Sequence, residues 1–234
     1  MSVSKAAEDY LKAIYKLQSD SGQVSTSSLA EYLGVAPPSA TNMITRLVKE
    51  GFLRHDRYHG VELTDAGARA ALEVIRHHRL WELFLAEALK MPLERVHGEA
   101  ERLEHTLSED LEERLDRALG YPTVDPHGDP IPSKDGTLSP GSRLTLAELP
   151  TGTPARVARV PDSDPALLHY LGELGLLPGA HVQVGRREPF GGPLYVTVAG
   201  RGSDSPAPQP RIIGQELAAH IFVDGVEPRD PSDA

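Results

Sequence analysis

Three features of the sequence predict a mainly α chain with β segments. The first 64 residues pack three short apolar-periodic stretches ahead of two alternating runs around a turn. Residues 64 to 117 hold two long helical stretches dense in His and Glu. Beyond Gly141 the pattern changes to short β-type runs separated by Gly and Pro turns. Together they predict an N-terminal winged helix-turn-helix, a helical dimerisation domain and a C-terminal SH3-like small β-barrel.

Taken in order, SKAAEDYLKAIYKLQS places Tyr10, Leu11, Ile14, Tyr15 and Leu17 on one helical stripe, with Ser4 as N-cap and Asp9 beside the stripe. QVSTSSLAEYLG is a Ser/Thr-capped short helix that ends at Leu33 and stops at Gly34. VAPPSATNMITRLVKEG restarts a helix with Pro37 or Pro38 in its first turn. Its apolar set is Met43, Ile44, Leu47 and Val48, and Gly51 terminates it. FLRHDRYHGVELT then reads as a β-hairpin wing turning at Tyr58, His59 and Gly60.

The second helix of such a unit meets base edges. Near its start stand Pro38, suited to a thymine methyl, then Ser39, Thr41 and Asn42, the last able to pair with adenine through two hydrogen bonds. Arg46 and Lys49 further along, and Arg54, Arg57, Tyr58 and His59 around the wing, suit phosphate. A winged helix that makes only protein contacts, its polar residues serving as caps, is the competing reading.

From Thr64 to Leu89 the pattern is one long helix capped by Thr64 and Asp65, with Trp81 as packing. Pro92 breaks it. LERVHGEAERLEHTLSEDLEERLDR, residues 93 to 117, is expected to be a single helix. On it His97, Glu101, Glu104 and His105 fall at relative positions 0, 4, 7 and 8 and share a face. Val96, Leu103, Leu107, Leu111 and Leu115 form an apolar stripe for a partner helix or a second copy. The preceding helix repeats the i, i+4 device with His78 and Glu82. Imidazole plus carboxylate without thiolate suits Mn2+, Fe2+ or Zn2+, and the carboxylate share leans toward manganese or iron. A Glu-rich helix laced with Arg is also what plain solubility produces.

GYPTVDPHGDPIPSKDGTLSPG, from Gly120 to Gly141, reads as an extended Pro-rich linker. LTLAEL, ARVARV, HVQVGRR, LYVTVAG and AHIFV are expected strands, with DPALLHYLGELGLLPG a short inserted helix. The resulting domain plan is 1–64 winged helix-turn-helix, 65–120 helical metal-binding and dimerisation, 121–143 linker, 144–224 SH3-like, and 225–234 flexible tail.

A net charge of −10 and pI near 5.5 argue, as a sum, against nucleic acid, but binding is decided locally, and bound cations cancel charge where carboxylates cluster. The absence of cysteine removes disulfides and thiolate metal sites. No apolar run approaches a membrane span and the N-terminus lacks a signal-peptide core, so no membrane partner and a cytoplasmic location are expected.

AEDYLKAIYKL, the winged head, RHHRLWE, RVHGEAERLEHTLSED and DPHGDPIP, followed by a terminal module of the ferrous-transport A type, make the chain similar to the diphtheria toxin repressor family of metal-dependent transcriptional regulators. HGEAERLEHTLSE is the most specific part. The resemblance implies a non-enzymatic homodimer, formed through residues around 93 to 119, that binds a pseudo-palindromic double-stranded DNA operator, typically to repress metal uptake. It implies a primary metal site on Asp9, Glu101, Glu104 and His105, and an ancillary site on His78, Glu82 and His97. It also implies a barrel acid at Asp164, with Leu167 where a glutamine is expected and His169 nearby. Asp9 and Glu101 stand where the iron branch has Met and Cys, which favours Mn2+, with Fe2+ as alternative and Zn2+ as an in vitro substitute. Lys12 replaces a glutamate of the manganese branch; its ammonium would repel a second cation and neutralise Glu101 or Glu104. A metallohydrolase is the rival reading, yet no H-E-x-x-H or G-x-S-x-G motif is present.

Overall fold

The computed structural model describes residues 4–56, 60–200 and 207–225. They divide into two compact units. The first comprises Met1–Trp81, Ala100–Thr123 and Ile131–Leu138, and the second Glu82–Glu99, Val124–Pro130 and Ser139–Ala234.

In the first unit, α1 (Lys5–Ser21) buries Tyr10, Leu11 and Ile14, the stripe expected from its spacing. α2 (Thr26–Tyr32) begins in a capping box, in which the Ser25 side chain accepts from the Ser28 amide and Ser28 answers on Ser25. α3 (Pro37–Lys49) starts with two prolines where no helical N–H is needed, and buries Ala40, Ile44 and Leu47. The wing is the antiparallel pair β1 (Leu53–Asp56) and β2 (Gly60–Leu63), with Leu53 opposite Leu63. Val61 also bridges Val24. This close approach explains Gly60: at φ 79° a Cβ there would lie 2.3 Å from the Val24 carbonyl oxygen. Residues 57–59, which carry the expected wing contacts Arg57 and Tyr58, lie outside the described residues.

The long helix α4 runs Asp65–Glu87, and Thr64 accepts the Gly67 amide at 3.1 Å. It stops two residues before the expected Leu89. The single helix expected over 93–117 is corrected by the structure. α5 covers Leu93–Leu103, a 3-10 turn takes Glu104–Thr106, and α6 covers Glu109–Ala118. Leu107 is extended, and the Ser108 side chain accepts the Leu111 amide as a new N-cap ahead of Glu109, Asp110 and Glu112. The expected stripe is therefore interrupted: Val96, Leu107 and Leu115 are buried while Leu111 is exposed. α4 and α5 each contribute residues to both units.

The second unit is built on five antiparallel strands, β3 (Pro154–Arg159), β4 (His181–Arg187), β5 (Leu194–Ala199), β6 (Gln209–Ile213) and β7 (Phe222–Gly225), in the order β6-β5-β4-β3-β7. Inward residues alternate as strands require: Val182 and Val184 on β4, and Leu194, Val196 and Val198 on β5, are buried. They pack with Leu168 and Leu171 of α7 (Pro165–Leu174). Gly175 closes α7 in the left-handed region at φ 76°. The sheet matches the expected SH3-like β unit, with two changes. LTLAEL makes only the bridge from Thr145 to Phe222 and is otherwise a turn that buries Leu146 and Leu149. QPRII, not among the expected strands, is β6, and α8 (Gln215–Ala219) follows it. The prolines around Gln209 masked the strand; the sheet edge tolerates them.

Residues 121–143 contain no helix or strand, yet they are not a bare spacer. Asp125, His127 and Ile131 are buried, and Val124 bridges Pro130. Of the residues expected as a tail, 225–234, Gly225 ends β7, and 226–234 lie outside the described residues.

Candidate metal centre

In the first unit α1 and the 3-10 turn bring Asp9, Glu104 and His105 together, with one ligand atom from each within 4.8 Å of the others. His105 Nε2 lies 2.8 Å from Asp9 Oδ1 and 3.4 Å from Glu104 Oε1. Atoms that share one divalent ion stand roughly 3 Å apart when bonds are about 2.1 Å, so this trio fits a cation. The other ring nitrogen, Nδ1, is 2.6 Å from Glu8 Oε2, a carboxylate partner that sets the ring's orientation. Glu8 was not foreseen from the sequence, although its place beside Asp9 in the first turn was visible.

Glu104 is completely buried. The Lys12 ammonium donates to both of its oxygens at 2.8 Å and to Glu101 Oε1 at 2.6 Å. Burial works against the Lys12 charge, but the carboxylates of Glu104 and Glu101 outweigh it and hold the ammonium above its ordinary range. Glu101, expected beside Asp9, thus faces Lys12. His78 Nδ1 also lies 2.5 Å from Glu104 Oε2, so within the first unit this expected ancillary ligand is placed on a primary-site carboxylate.

The second unit holds Glu82 and His97, the rest of the expected ancillary set, with His97 Nδ1 3.1 Å from Glu82 Oε1. Asp162 completes a potential ligand trio with them, and Asp125 and His127 form another around the same Glu82. His97 Nδ1 is 3.8 Å from Asp162 Oδ2, and His127 Nδ1 is 3.7 Å from Glu82 Oε2. Glu82, Asp125 and His127 are all buried. Burial disfavours the His127 charge, yet the carboxylates of Glu82, Asp125 and Asp162 raise the ring to about 9.

Asp125 and His127 come from the segment taken for a linker. Asp125 Oδ1 accepts the His127 and Asp129 amides at 2.9 Å each, which folds the segment back on itself. Gly128 lets this turn approach β3, because a Cβ there would lie 1.8 Å from the Ala158 carbonyl oxygen.

Asp164 is not brought to this cluster. It is exposed, and it N-caps α7 by accepting the Ala166 and Leu167 amides at 2.9 and 3.2 Å. The acid that reaches Glu82 and His97 is Asp162, two residues earlier. Leu167 packs against the sheet core. His169 is exposed, 4.0 Å from Glu94 and 3.8 Å from Glu173.

On the winged head, Pro38, Ser39, Thr41, Asn42, Arg46 and Lys49 are all exposed on α3, opposite its buried Ala40, Ile44 and Leu47. Thr41 Oγ1 donates to the Pro37 carbonyl at 3.0 Å, and Arg46 is paired with Glu50 at 2.8 Å. Arg54 is exposed on β1. Among the described residues no helix is long and apolar enough to cross a membrane.

Comparison with known proteins matches three stretches of the chain to family models. Residues 2–61 match the family described as iron dependent repressor, N-terminal DNA binding domain. Residues 64–133 match iron dependent repressor, metal binding and dimerisation domain, and residues 144–225 match the FeoA domain. The chain is 35% identical over 190 residues to the iron-dependent repressor IdeR of Mycobacterium leprae, covering 76% of this chain and 82% of that protein. It is 30% identical over 183 residues to the diphtheria toxin repressor of Corynebacterium efficiens, covering 76% of this chain and 79% of that one. Among solved structures, a manganese-dependent transcriptional repressor in complex with manganese is similar with a TM-score of 0.82 and 38% identity, covering 94% of this chain and 100% of the other. ScaR with bound Cd2+ follows with a TM-score of 0.76 and 35% identity, covering 94% and 99%.

Proposed function

The chain belongs to the iron-dependent repressor family, that of the diphtheria toxin repressor, and from that premise we propose which of its residues hold metal and which metal they select. It is a metal-dependent DNA-binding transcriptional repressor, and its family consists of repressors rather than enzymes. The primary site is Asp9, Glu104 and His105, with Glu101 at its margin. The observation that carries this is the convergence of Asp9 from α1 with His105 and the buried Glu104 from the turn after α5. A bound divalent ion supplies positive charge that ties the winged head to that turn.

Before any ion arrives, the chain's own residues hold the site. Lys12 neutralises Glu104 and Glu101, and Glu8 orients His105. An ammonium already in the pocket leaves charge for one divalent ion there, not two. The donors are carboxylate oxygen and imidazole nitrogen in a chain without cysteine, which supports Mn2+ as the physiological ion, Fe2+ as the alternative and Zn2+ as an in vitro substitute. The second cluster, Glu82 with His97, Asp125, His127 and Asp162, is a further site of the same hard donor class. The expected His78 and Asp164 are not needed for it.

On DNA, the exposed side of α3 reads base edges through Pro38, Ser39, Thr41 and Asn42, and Arg46 and Lys49 meet phosphate. The protein acts as a cytoplasmic homodimer on a pseudo-palindromic operator, and a dimerisation domain joined to one such head per subunit supports the dimer and the paired half-sites. Uptake genes are the natural targets, since repression when metal is plentiful lowers its entry.

The test is fluorescence anisotropy on a DNA fragment enriched from random sequence in Mn2+, after chelation and with Mn2+, anaerobic Fe2+ or Zn2+ restored. Coupling of about 1–3 kcal/mol predicts tightening of roughly 5- to 150-fold with Mn2+, lost in Asp9→Asn. Undiminished binding in EDTA would overturn the metal assignments.

A further inference from the structure

The turn that carries Glu104 and His105 is a weak place in the backbone. α5 ends at Leu103 and Leu107 is already extended, so the helical hydrogen-bond ladder gives out where the two ligand side chains must be aimed. The Glu104 carbonyl takes its hydrogen bond from a side chain instead, with His77 Nδ1 at 3.2 Å. A carbonyl oxygen only accepts, so Nδ1–H is the donor here, and a ring nitrogen held by a carboxylate donates as well.

His77 is itself held. Its Nε2 lies 3.4 Å from Glu112 Oε2 on α6, and Glu112 Oε1 accepts from Arg76 Nε at 2.6 Å. Arg76 also donates to Asp116 at 2.6 Å and to the Pro132 carbonyl at 2.8 Å. All four side chains are buried. Burial disfavours the Glu112 charge, but the hydrogen bond from Arg76 and the nearby charges outweigh it and keep the carboxyl below its ordinary range. The anchor under the imidazole is thus a charged, rigid one.

We infer that His77 is a positioning residue for the primary metal site, fastening the backbone of the Glu104–Thr106 turn to α6 so that Glu104 and His105 face Asp9 before an ion binds. This rests on the assignment of Asp9, Glu104 and His105 as ligands. His77 does not touch the ion. It lies one residue before His78 on α4, and neither its spacing nor its type separates it from a ligand in the sequence. Removing its N–H leaves the Glu104 carbonyl without a donor in a buried place. The turn then rotates to find another, carrying two ligands with it.

The experiment measures Mn2+ binding by electron paramagnetic resonance of the free ion, with the full-length protein and its Asp9→Asn, His77→Leu, His77→Gln and Glu112→Gln variants. The component lost in Asp9→Asn defines the primary site. His77→Leu is expected to weaken that component about 10- to 100-fold while the circular dichroism spectrum is kept. His77→Gln, whose amide can donate to the same carbonyl, is expected to recover most of the loss. Wild-type affinity in His77→Leu, or equal losses in the leucine and glutamine variants, overturns the inference. Should the leucine variant not fold, Glu112→Gln decides: a smaller loss at the same site supports the anchor, and no loss overturns it. If Asp9→Asn binds Mn2+ as the wild type does, the ligand assignment itself fails, and the role of His77 with it.

Discussion

Replacing Lys12 by methionine removes the cation from the primary pocket while keeping most of its volume. The ammonium contacts a completely buried Glu104 through both oxygens at 2.8 Å, so the perturbation leaves a buried carboxylate with His78 and His105 beside it but no lysine counter-charge. Breaking one partner of such a buried pair costs about 3–5 kcal/mol. Glu101 adds little, because its side chain is 41% exposed and pairs of that kind contribute about 0–1 kcal/mol. In EDTA the melting temperature of Lys12→Met should therefore fall by roughly 6–20 °C, taking about 2–4 °C per kcal/mol for a chain of this size. Saturating Mn2+ replaces the missing charge, so the deficit narrows when the ion is present. Whatever stability the ion restores must reappear as tighter binding. If about 2 kcal/mol is restored, Mn2+ affinity rises by roughly thirtyfold. Calorimetric melting with and without Mn2+, together with isothermal titration, reads both quantities. An unchanged metal-free melting temperature, or an affinity that stays level or drops, would refute the role of Lys12 as resident counter-cation.

The remaining predictions concern the other sites. Asn42→Ala should weaken binding to the preferred DNA by about 1–3 kcal/mol and relax sequence preference, leaving Mn2+ affinity unchanged; anisotropy on matched and single-substituted fragments checks this. Asp162→Asn should reduce metal uptake by the second cluster, whereas Asp164→Asn should leave uptake intact, and Asp164→Ala should cost about 0.5–2 kcal/mol through loss of the α7 cap. Metal titration and urea unfolding separate these cases. In metal-free protein, His127 is raised from an ordinary 6.5 to about 9, so its stabilising contribution is full below about pH 6.5 and disappears as pH rises through 9. A difference of that size is worth on the order of 3 kcal/mol. Urea midpoints in EDTA should fall from pH 6.5 to pH 9.5, with the slope flattened in His127→Gln.

The winged head was legible because its signals are local and mutually consistent. Ser25 at a cap, Pro37 and Pro38 in a first turn, Gly34 and Gly51 at stops, and alternation across the hairpin each act over a few residues. The metal helix was less so, because spacing counted along one straight helix presumes that the helix continues. Ser108 followed by Glu109, Asp110 and Glu112 is an N-cap with an acidic first turn, and that signal marked the break. Asp164 before Pro165 carried the same cap signature, and the structure places it at the α7 N-cap while Asp162 stands with Glu82 and His97. Asp125 and His127 were hidden for a different reason. Pro and Gly density reads as spacer, yet a turn closed by its own aspartate can bury two ligand-type side chains. Lys12 was legible as a cation near the site, and the structure shows it engaging both glutamates, not one.

The interruption between α5 and α6 bears on any attempt to transplant this centre. A designer who copied the intervals of His97, Glu101, Glu104 and His105 onto an uninterrupted helical scaffold would reproduce the letters and lose the site. Glu104 and His105 sit on a tighter 3-10 turn, and Leu107 is extended before the chain restarts its helix after Ser108. The portable unit is the broken segment together with the groups that brace it, so a graft has to carry the fracture as well as the ligands.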